Sequence, residues 1–286
     1  MLNFMIALFT LLCILPFVLV TILSFTDEET LLRNGYSYFP AKLSLKAYEY
    51  VFKSSDQLIS SLAVSVTVTV IGTFLGVLIM SMYAYALYRK DFRYRRFFAF
   101  LAFFTLLFNG GLVPTYIVCT QMLHLKNSIF ALILPLGVDA FYIMVLRTFF
   151  QTALSESVID SARIDGAGEF KILSAIVFPM SLPGIATIAL FTTLAYWNDW
   201  FQALLYIQQS NLYPLQYLLV AIQNKMDFMM QNRAILSAHE VEIYKTMPAE
   251  GSRMALVFLS TLPITLAYPF FQRYFIQGLQ VGAIKE

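Results

Sequence analysis

Six apolar runs recur along this chain, and they constrain its fold more than any other feature of the sequence. Each is about 20 residues long, which is enough for a helix to cross a hydrocarbon core of about 30 Å. Helices are expected rather than a closed barrel, because a helix satisfies its backbone polar groups internally. The sequence thus predicts an all-α polytopic membrane protein with one transmembrane domain over residues 1–286. The expected spans are residues 2–25, 58–88, 97–118, 129–150, 182–207 and 253–274.

The composition supports a membrane location and argues against a nucleic-acid partner. The chain is 59% hydrophobic and 13% charged, whereas an ordinary soluble domain is roughly 25% charged. Its net charge is only +2, and the basic residues lie at the ends of apolar runs rather than in one patch. Residues 2–25 have no preceding Lys or Arg and no A-x-A-like exit, so we expect a retained first span rather than a signal peptide.

The orientation follows from the short polar gap between the second and third runs. This gap holds five Lys and Arg residues, and such a density of positive charge next to a span is typical of the cytoplasmic side. Counting from this gap, both termini and residues 151–181 are expected in the cytoplasm, and residues 26–57 and 208–252 outside. The basic residues of the gap are Arg89, Lys90, Arg93, Arg95 and Arg96.

Prolines and glycines inside the spans predict local irregularities. A proline removes a backbone hydrogen bond where lipid offers no replacement, so kinked or broken helices are expected. Gly72 and Gly76 form a G-x-x-x-G pair that lets another helix approach closely, either within the chain or in a dimer. The prolines concerned are Pro16, Pro114, Pro135 and Pro263.

The cytoplasmic segment 155–179 differs from a simple connecting loop because its apolar residues recur at helical spacing. Ser155 is a candidate N-cap, Asp165-Gly166 is a turn signal, and Pro179 is expected to stop a second helix. Two short amphipathic helices joined by a tight turn are therefore predicted. Their apolar faces hold Val158, Ile159 and Ala162 in the first helix, and Phe170, Leu173 and Val177 in the second.

This segment resembles the cytoplasmic loop of bacterial ABC-type import permeases, which has the form E-A-A-x3-G-x9-I-x-L-P. Residues 162–167, Ala-Arg-Ile-Asp-Gly-Ala, are most similar to the maltose-type group that imports oligosaccharides, and residues 108–116 and 196–200 extend the similarity. The chain departs from this form at three positions: Asp160 stands in place of Glu, Ser161 in place of the first Ala, and Phe178 in place of Leu. The matching residues are Asp160, Ser161, Ala162, Gly166, Ile176, Phe178 and Pro179.

The resemblance implies a permease subunit in the bacterial inner or plasma membrane that imports a sugar or oligosaccharide. In that family the loop is a coupling helix that docks into a cytoplasmic ATPase. Implied partners are a second, similar permease subunit forming a heterodimer, two ATPase subunits, an extracellular solute-binding protein and the lipid bilayer. ATP and Mg are expected on the ATPase. The implied ATPase-coupling residues are Glu156, Asp160, Ser161, Ala162, Asp165, Gly166, Ile176 and Pro179.

Other features limit the chemistry of the chain itself. It contains no G-x-x-x-x-G-K-[ST] loop, so we expect no bound nucleotide, and we expect no other cofactor. His124 and His239 are far apart and have no nucleophile or carboxylate constellation, so no catalytic residue is predicted. Cys13 and Cys119 have no neighbour that indicates a disulfide or a metal site, and no metal is expected.

Polar residues at one depth of the spans are candidates for the solute path. A charged residue at mid-span costs about 2.5 to 3.5 kcal/mol on the insertion scale, and Arg147 lies two turns away from Asp139. Aromatic rings beside carboxylates and amides suit a carbohydrate, although hydrogen bonding between helices is the alternative. The candidate path residues are Asn109, Asp139, Tyr142, Trp197, Asn198 and Asp199.

Several alternatives remain open from the sequence. The amphipathic pair can instead lie on the lipid surface. A secondary transporter driven by an ion gradient would use Asp139 and Asp199 as ion sites, and an ABC importer for another small solute, such as a polyamine, has the same architecture. A membrane enzyme or assembly factor would need a catalytic cluster. The outer segment 213–248 suits either a binding-protein contact or a folded cap.

Overall fold

The computed structural model describes residues 2–53, 55–231 and 248–283, and these form an almost purely helical protein. Within these ranges there is no strand, and the only β pairing is an isolated bridge between Thr26 and Leu43. The all-α prediction is therefore confirmed. Two compact units are present, one formed by Met1–Ala63 with Tyr213–Thr265 and the other by Val64–Leu212 with Leu266–Glu286. The expectation of a single domain stays a prediction.

The helices follow the predicted spans closely. Short π-helical turns at Val118–Met122 and Leu173–Val177 extend two of them, and 3-10 turns occupy Leu134–Leu136 and Ser210–Leu212. In chain order the α-helices are α1 (Leu2–Ser24), α2 (Glu28–Asn34), α3 (Lys46–Lys53), α4 (Ser55–Tyr88), α5 (Arg95–Leu107), α6 (Leu112–Ile117), α7 (Ile129–Ile133), α8 (Ala140–Ala153), α9 (Glu156–Ile164), α10 (Glu169–Ile172), α11 (Phe178–Met180), α12 (Leu182–Trp197), α13 (Phe201–Tyr206), α14 (Leu215–Gln231) and α15 (Ala249–Ala283).

Both straight and bent helices are long and apolar enough to cross a membrane. Among the described residues, two straight segments meet this requirement by length and composition, Leu2–Ser24 and Asp56–Tyr88, and three bent pairs raise the number to five if each pair is one span. The sixth predicted span, residues 253–274, lies within α15. The chain is thus a polytopic helical protein. The bent pairs are Arg95–Leu107 with Leu112–Met122 (115°), Ile129–Leu136 with Ala140–Ala153 (52°), and Glu169–Met180 with Leu182–Trp197 (83°).

The prolines break the helices at only some of the predicted positions. Pro16 and Pro263 lie inside helices that continue past them. The predicted break is therefore wrong at these two positions, and a kink there stays a prediction. Pro114 lies in the first turn of α6, where its missing N–H costs nothing. Pro135 lies in a 3-10 turn just before the second bend.

The two glycines of the G-x-x-x-G pair permit close packing within the chain. A Cβ atom at Gly72 would lie 2.5 Å from Cζ of Tyr196, and one at Gly76 would lie 2.5 Å from the carbonyl oxygen of Gly137. The Tyr196 hydroxyl then donates to the carbonyl of Ile133 at 2.7 Å. The intramolecular alternative is therefore the one that the structure shows.

The first unit has its own polar anchor at the beginning of α15. Both carboxylate oxygens of Glu28 accept hydrogen bonds, one from the Glu250 N–H and one from the Gly251 N–H, each at 2.9 Å. An anion at a helix N-terminus satisfies orphan donors and interacts favourably with the helix dipole. This contact joins the segment after α1 to the last helix.

A hydrophobic core in the second unit positions the segment 155–179. It joins the end of α4 to α8 and to the segment that follows α8, so the predicted amphipathic pair is packed on its own chain. The buried members are Met80, Ala84, Tyr85, Leu87 and Tyr88 from α4, Ile143, Leu146, Phe150 and Leu154 from α8 and its end, Ile159 from α9, Ile172, Leu173 and Val177 from the following helix, and Ile188 from α12.

Candidate coupling site

The segment after α8 folds as the helix-turn-helix that the sequence predicts. Ser155 occupies the N-cap position of α9, although its hydroxyl contacts the Ser157 hydroxyl at 2.7 Å and not a backbone N–H. At the other end, the Gly166 N–H donates to the Arg163 carbonyl at 2.9 Å, and Gly166 has a φ of 81°. A left-handed residue of this kind reverses the chain sharply and favours glycine. We call α9, α10 and the turn between them the coupling pair.

The second helix ends one residue later than predicted. α10 continues through the π-helical turn into α11, which ends at Met180, so Pro179 lies inside the last turn. In the π-helical turn the Phe178 N–H bonds the Leu173 carbonyl, five residues back. This wider turn accommodates a proline ring that would otherwise clash with the carbonyl four residues earlier.

The apolar side chains of the coupling pair divide into a buried and an exposed set. The predicted face residues Ile159, Leu173 and Val177 are buried in the core of the second unit. By contrast, Ile164 is 87% exposed and Phe170 is 76% exposed, one on each side of the turn. Most of the predicted apolar face therefore packs on the chain itself. Ile164 and Phe170 form an exposed apolar tip beside the turn. The sequence analysis did not single out Ile164.

The remaining predicted coupling residues lie along α9, in the turn that follows it and towards the end of the second helix. Glu156 forms an ion pair with Lys90 at 2.7 Å, so this carboxylate has a partner within the chain. The Ser161 hydroxyl donates to the Ser157 carbonyl at 2.9 Å. Exposed positions are Asp160, Ser161, Asp165, Gly166 and Pro179, and half-buried ones are Ala162 and Ile176.

An ionic cluster that the sequence analysis did not find joins the coupling pair to the end of α4. Arg163 contacts the carboxylates of Asp91 and Glu169, each at 2.5 Å. Arg89 binds Asp91 through two parallel hydrogen bonds of 3.0 Å, and the Tyr85 hydroxyl donates to Glu169 at 2.6 Å. We call Tyr85, Arg89, Asp91, Arg163 and Glu169 the ionic cluster.

The electrostatics of the cluster favour its charged form. Hydrogen bonds from Arg89 and then from Arg163 hold the pKa of the Asp91 carboxyl well below its usual range. Partial burial alone would raise the pKa of Glu169, but the hydrogen bonds from Tyr85 and Arg163 outweigh it, so this pKa is also lowered. Bonds to Glu169 and Asp91 raise the pKa of Arg163. Both carboxylates therefore stay ionised at neutral pH.

The candidate path residues lie at helix ends rather than in the middle of continuous helices. Asn109 lies between α5 and α6, where its side-chain oxygen accepts from the Gly111 N–H at 2.9 Å. Asp139 is the N-cap of α8 and accepts from the Phe141 N–H at 2.7 Å. Both residues thus lie at the breaks within the third and fourth predicted spans, where the backbone offers groups that polar side chains satisfy. Their role in a solute path stays a prediction.

The same principle applies after α12. The Asn198 side-chain amide donates to the Leu194 carbonyl at 2.9 Å, and Asp199 accepts from the Gln202 N–H at 3.3 Å. Trp197 is buried, whereas Asn198 is exposed. Tyr142 stacks on Phe191 with ring centroids 6.2 Å apart. Breaks therefore bring backbone and polar side chains together at three places along the spans.

The remaining residues considered for chemistry form no recognisable site in the part of the chain that the structure describes. Cys13 is exposed and Cys119 is buried, and both are free thiols. No group of three His, Cys, Asp or Glu side chains there is placed to hold a metal ion. His239 and much of the outer segment 213–248 lie outside the described residues; its described part is mainly α14.

Comparison with known proteins gives the architecture a family. Residues 96–281 match the family described as "Binding-protein-dependent transport system inner membrane component". The chain belongs to this family. The permease is therefore a transport component, and its helical spans are those of a multi-pass inner membrane protein.

Relatives of the permease extend over nearly its whole length. The polygalacturonan/rhamnogalacturonan transport system permease protein YtcP of Bacillus subtilis is 39% identical over 97% of this chain and 94% of its own. Protein LplC of the same organism is 36% identical over 95% and 89%. An arabinooligosaccharides transport system permease protein, AraQ of Halalkalibacterium halodurans, is 29% identical over 95% and 91%.

A solved structure shares the fold. It is the crystal structure of a bacterial ABC transporter involved in the import of the acidic polysaccharide alginate, which matches with a TM-score of 0.81 and 25% identity over 96% of this chain and 94% of that one. The permease therefore has the membrane-subunit fold of an ABC importer.

Proposed function

We propose that the permease is the membrane-spanning subunit of an ATP-driven, binding-protein-dependent importer whose cargo is a sugar or an oligosaccharide. Its family is described as the inner membrane component of binding-protein-dependent transport systems. Relatives named for polygalacturonan, rhamnogalacturonan and arabinooligosaccharides support a carbohydrate cargo. The chain has no phosphate-binding loop, so ATP and Mg bind to partner ATPase subunits.

The observation that carries the proposal is the shape of the coupling pair. Its base is buried in the core of the second unit, while Ile164 and Phe170 project beside a tight turn. Exposed large apolar side chains on a rigid tip are typical of an element that inserts into a groove of another protein. Asp160 and Asp165 lie beside them as exposed carboxylates, which can meet basic residues at the rim. The ATPase is the proposed occupant of this contact.

The rest of the assembly follows from the same proposal. A second, similar permease subunit completes the pathway across the membrane, two ATPase subunits close beneath it, and an extracellular binding protein delivers the cargo. The positive charges at the end of α4 favour a cytoplasmic location for the coupling pair and both termini. In this orientation residues 26–57 and 208–252 face the binding protein.

The breaks in the spans are the proposed solute path. Asn109, Asp139 and Asn198 are exposed at helix ends, and Asp199 lies in the same break as Asn198. Hydroxyl groups of a sugar can bind such carboxylates and amides while its rings contact Tyr142. Broken helices near the midplane are a recurring way to build transporter sites.

Uptake measurements on matched glycine variants test the proposal. A tryptophan at Gly166 is strained by the φ of 81°, and it enlarges the tip that docks. At Gly168 the φ is −71° and nothing lies within 4 Å of an added Cβ. We expect Gly166→Trp to abolish uptake without preventing membrane insertion, whereas Gly168→Ala retains it. Normal uptake by Gly166→Trp would contradict the coupling role.

The cargo is tested with a deletion strain complemented by the wild-type gene. Growth and uptake are compared on oligogalacturonides, alginate oligosaccharides, arabino-oligosaccharides, maltose and a polyamine. Restored uptake of at least one of the sugars is expected. Restored uptake of the polyamine alone would overturn the carbohydrate assignment.

A further inference from the structure

The ionic cluster connects three parts of the second unit, the end of α4, α9 and α10. Tyr85 lies in the last turn of α4, and Arg89 and Asp91 follow that helix. Arg163 lies in the last turn of α9, and Glu169 is the first residue of α10. The cluster therefore spans the end of α4 and both helices of the coupling pair.

Its geometry is more restrictive than that of an isolated surface ion pair. Arg163 bridges two carboxylates, with its Nη2 atom at 2.5 Å from both Asp91 and Glu169 and its Nε atom at 3.1 Å from Glu169. A planar guanidinium that binds in this way fixes direction as well as distance. Two arginines balance two carboxylates, so the cluster carries no net charge that would drive it apart.

Partial burial strengthens the cluster. The Arg89 side chain is only 10% exposed, and the Tyr85 ring is buried in the core of the second unit. Exposed ion pairs contribute little to stability, whereas networks with ordered, shielded members contribute more. The helix ends also favour these charges, since a cation suits the C-terminus of α9 and an anion the N-terminus of α10.

Apolar packing continues directly beneath the charges. Ile159 of α9 and Ile172 of α10 share one core with Leu87 and Tyr88 of α4. The coupling pair thus contacts α4 through two layers, an apolar one inside and an ionic one at the surface. Sliding of the pair along α4 would have to break both.

We propose that the ionic cluster is a clamp that makes the coupling pair and the cytoplasmic end of α4 one rigid body throughout the transport cycle, with Arg163 as its positioning residue. The proposal rests on the proposed function, in which the ATPase pushes on the coupling pair. The clamp then delivers that displacement to α4, one of the two straight membrane-spanning helices that the described residues contain. Without the clamp, the pair would move and α4 would lag behind.

The test measures a distance within the permease in the complete importer reconstituted in lipid. Cys13 and Cys119 are replaced, and spin labels are placed at Met82→Cys on α4 and at Ser174→Cys in the π-helical turn that continues α10; both positions are exposed. Distances are recorded without nucleotide and with ATP bound to an ATPase that does not hydrolyse it. A second label pair across the two permease subunits reports that the complex has switched.

The clamp predicts one narrow distance between positions 82 and 174 in both states, while the second label pair shifts. Arg163→Ala should broaden or shift the 82–174 distance when ATP binds. Arg163→Lys should have a smaller effect than Arg163→Ala because it keeps the positive charge, but it should not match the wild type, because a single ammonium bridges both carboxylates less well than a guanidinium. Asp91→Asn should change the 82–174 distance as Arg163→Ala does, and the double variant should change it little more than either single variant. Lys171→Ala removes an exposed positive charge from the same pair without touching the cluster and should behave as wild type.

Two results overturn the clamp. One is an 82–174 distance that changes with ATP in the wild-type importer. The other is an Arg163→Ala variant whose distance stays as narrow as that of the wild type in both states. A wild-type permease that does not co-purify with an ATPase would contradict the proposed function itself, and the clamp would fail with it. Co-purification thus separates failure of the function from failure of the clamp alone.

Discussion

At the scale of single residues, the helix packing of the permease depends on glycines at positions that leave no room for a side chain. Gly76 faces the carbonyl oxygen of Gly137 so closely that an added Cβ would lie 2.5 Å from it. A backbone atom held in a helix break cannot rotate away, unlike the end of a flexible side chain. At Gly72 the added Cβ would instead meet a side chain, the ring of Tyr196.

Gly76→Ala is therefore expected to destabilise the permease by about 1–3 kcal/mol, the usual cost of overpacking. Thermal unfolding of the purified protein in detergent should show a lower Tm than wild type. Gly110→Ala is the matched control, since its added Cβ would meet only Pro114, at 4.0 Å. An unchanged Tm for Gly76→Ala, or an equal fall for both variants, would contradict the packing described here.

Residue types alone predicted the turn of the coupling pair but not the ionic cluster. Asp165-Gly166 is a local signal, because a left-handed turn after a helix favours glycine wherever it occurs. Arg163 and Asp91 are separated by 72 residues, and no spacing rule connects them. Their pairing arises from the core that brings α4 and α9 together, and a single sequence does not show that tertiary contact.

At the scale of helices, polar side chains at the breaks in the spans bind backbone groups, and we propose that they also bind the solute. The sequence predicted the number and approximate limits of the spans from apolar length, which is a local property. It also predicted broken helices from the prolines within the spans, but hydropathy does not show that Asp139 caps α8. The signal was present, since Gly137 and Asp139 directly precede the apolar run of α8 and resemble the start of a helix.

Variants of Asp139 separate these two roles. Asp139→Ala removes the cap of α8 and should cost about 0.5–2 kcal/mol, whereas Asn caps nearly as well and Asp139→Asn should keep the wild-type Tm. If the carboxylate also lines the proposed path, uptake should fall in both variants. A wild-type Tm for Asp139→Ala would contradict the capping role, and normal uptake by Asp139→Asn would remove Asp139 from the path.

At the scale of the whole molecule, the permease exposes much of its apolar surface, as expected of a membrane subunit. The side chains of α1 from Leu2 to Leu15 are largely exposed, and such a surface faces lipid or another subunit rather than water. The proposed function therefore depends on one element, the coupling pair, that transfers motion from the ATPase to the membrane-spanning helices.

The most direct test of this account is cross-linking from the exposed tip of the coupling pair. Ile164→Cys, in a background without Cys13 and Cys119, is labelled with a photoactivatable maleimide in inside-out membrane vesicles that contain the complete importer. Phe74→Cys, exposed on the membrane-spanning part of α4, is the control. We predict an adduct with the ATPase from position 164 and none from position 74. Labelling of position 164 only from the outer face, or no ATPase adduct from it, would contradict the account.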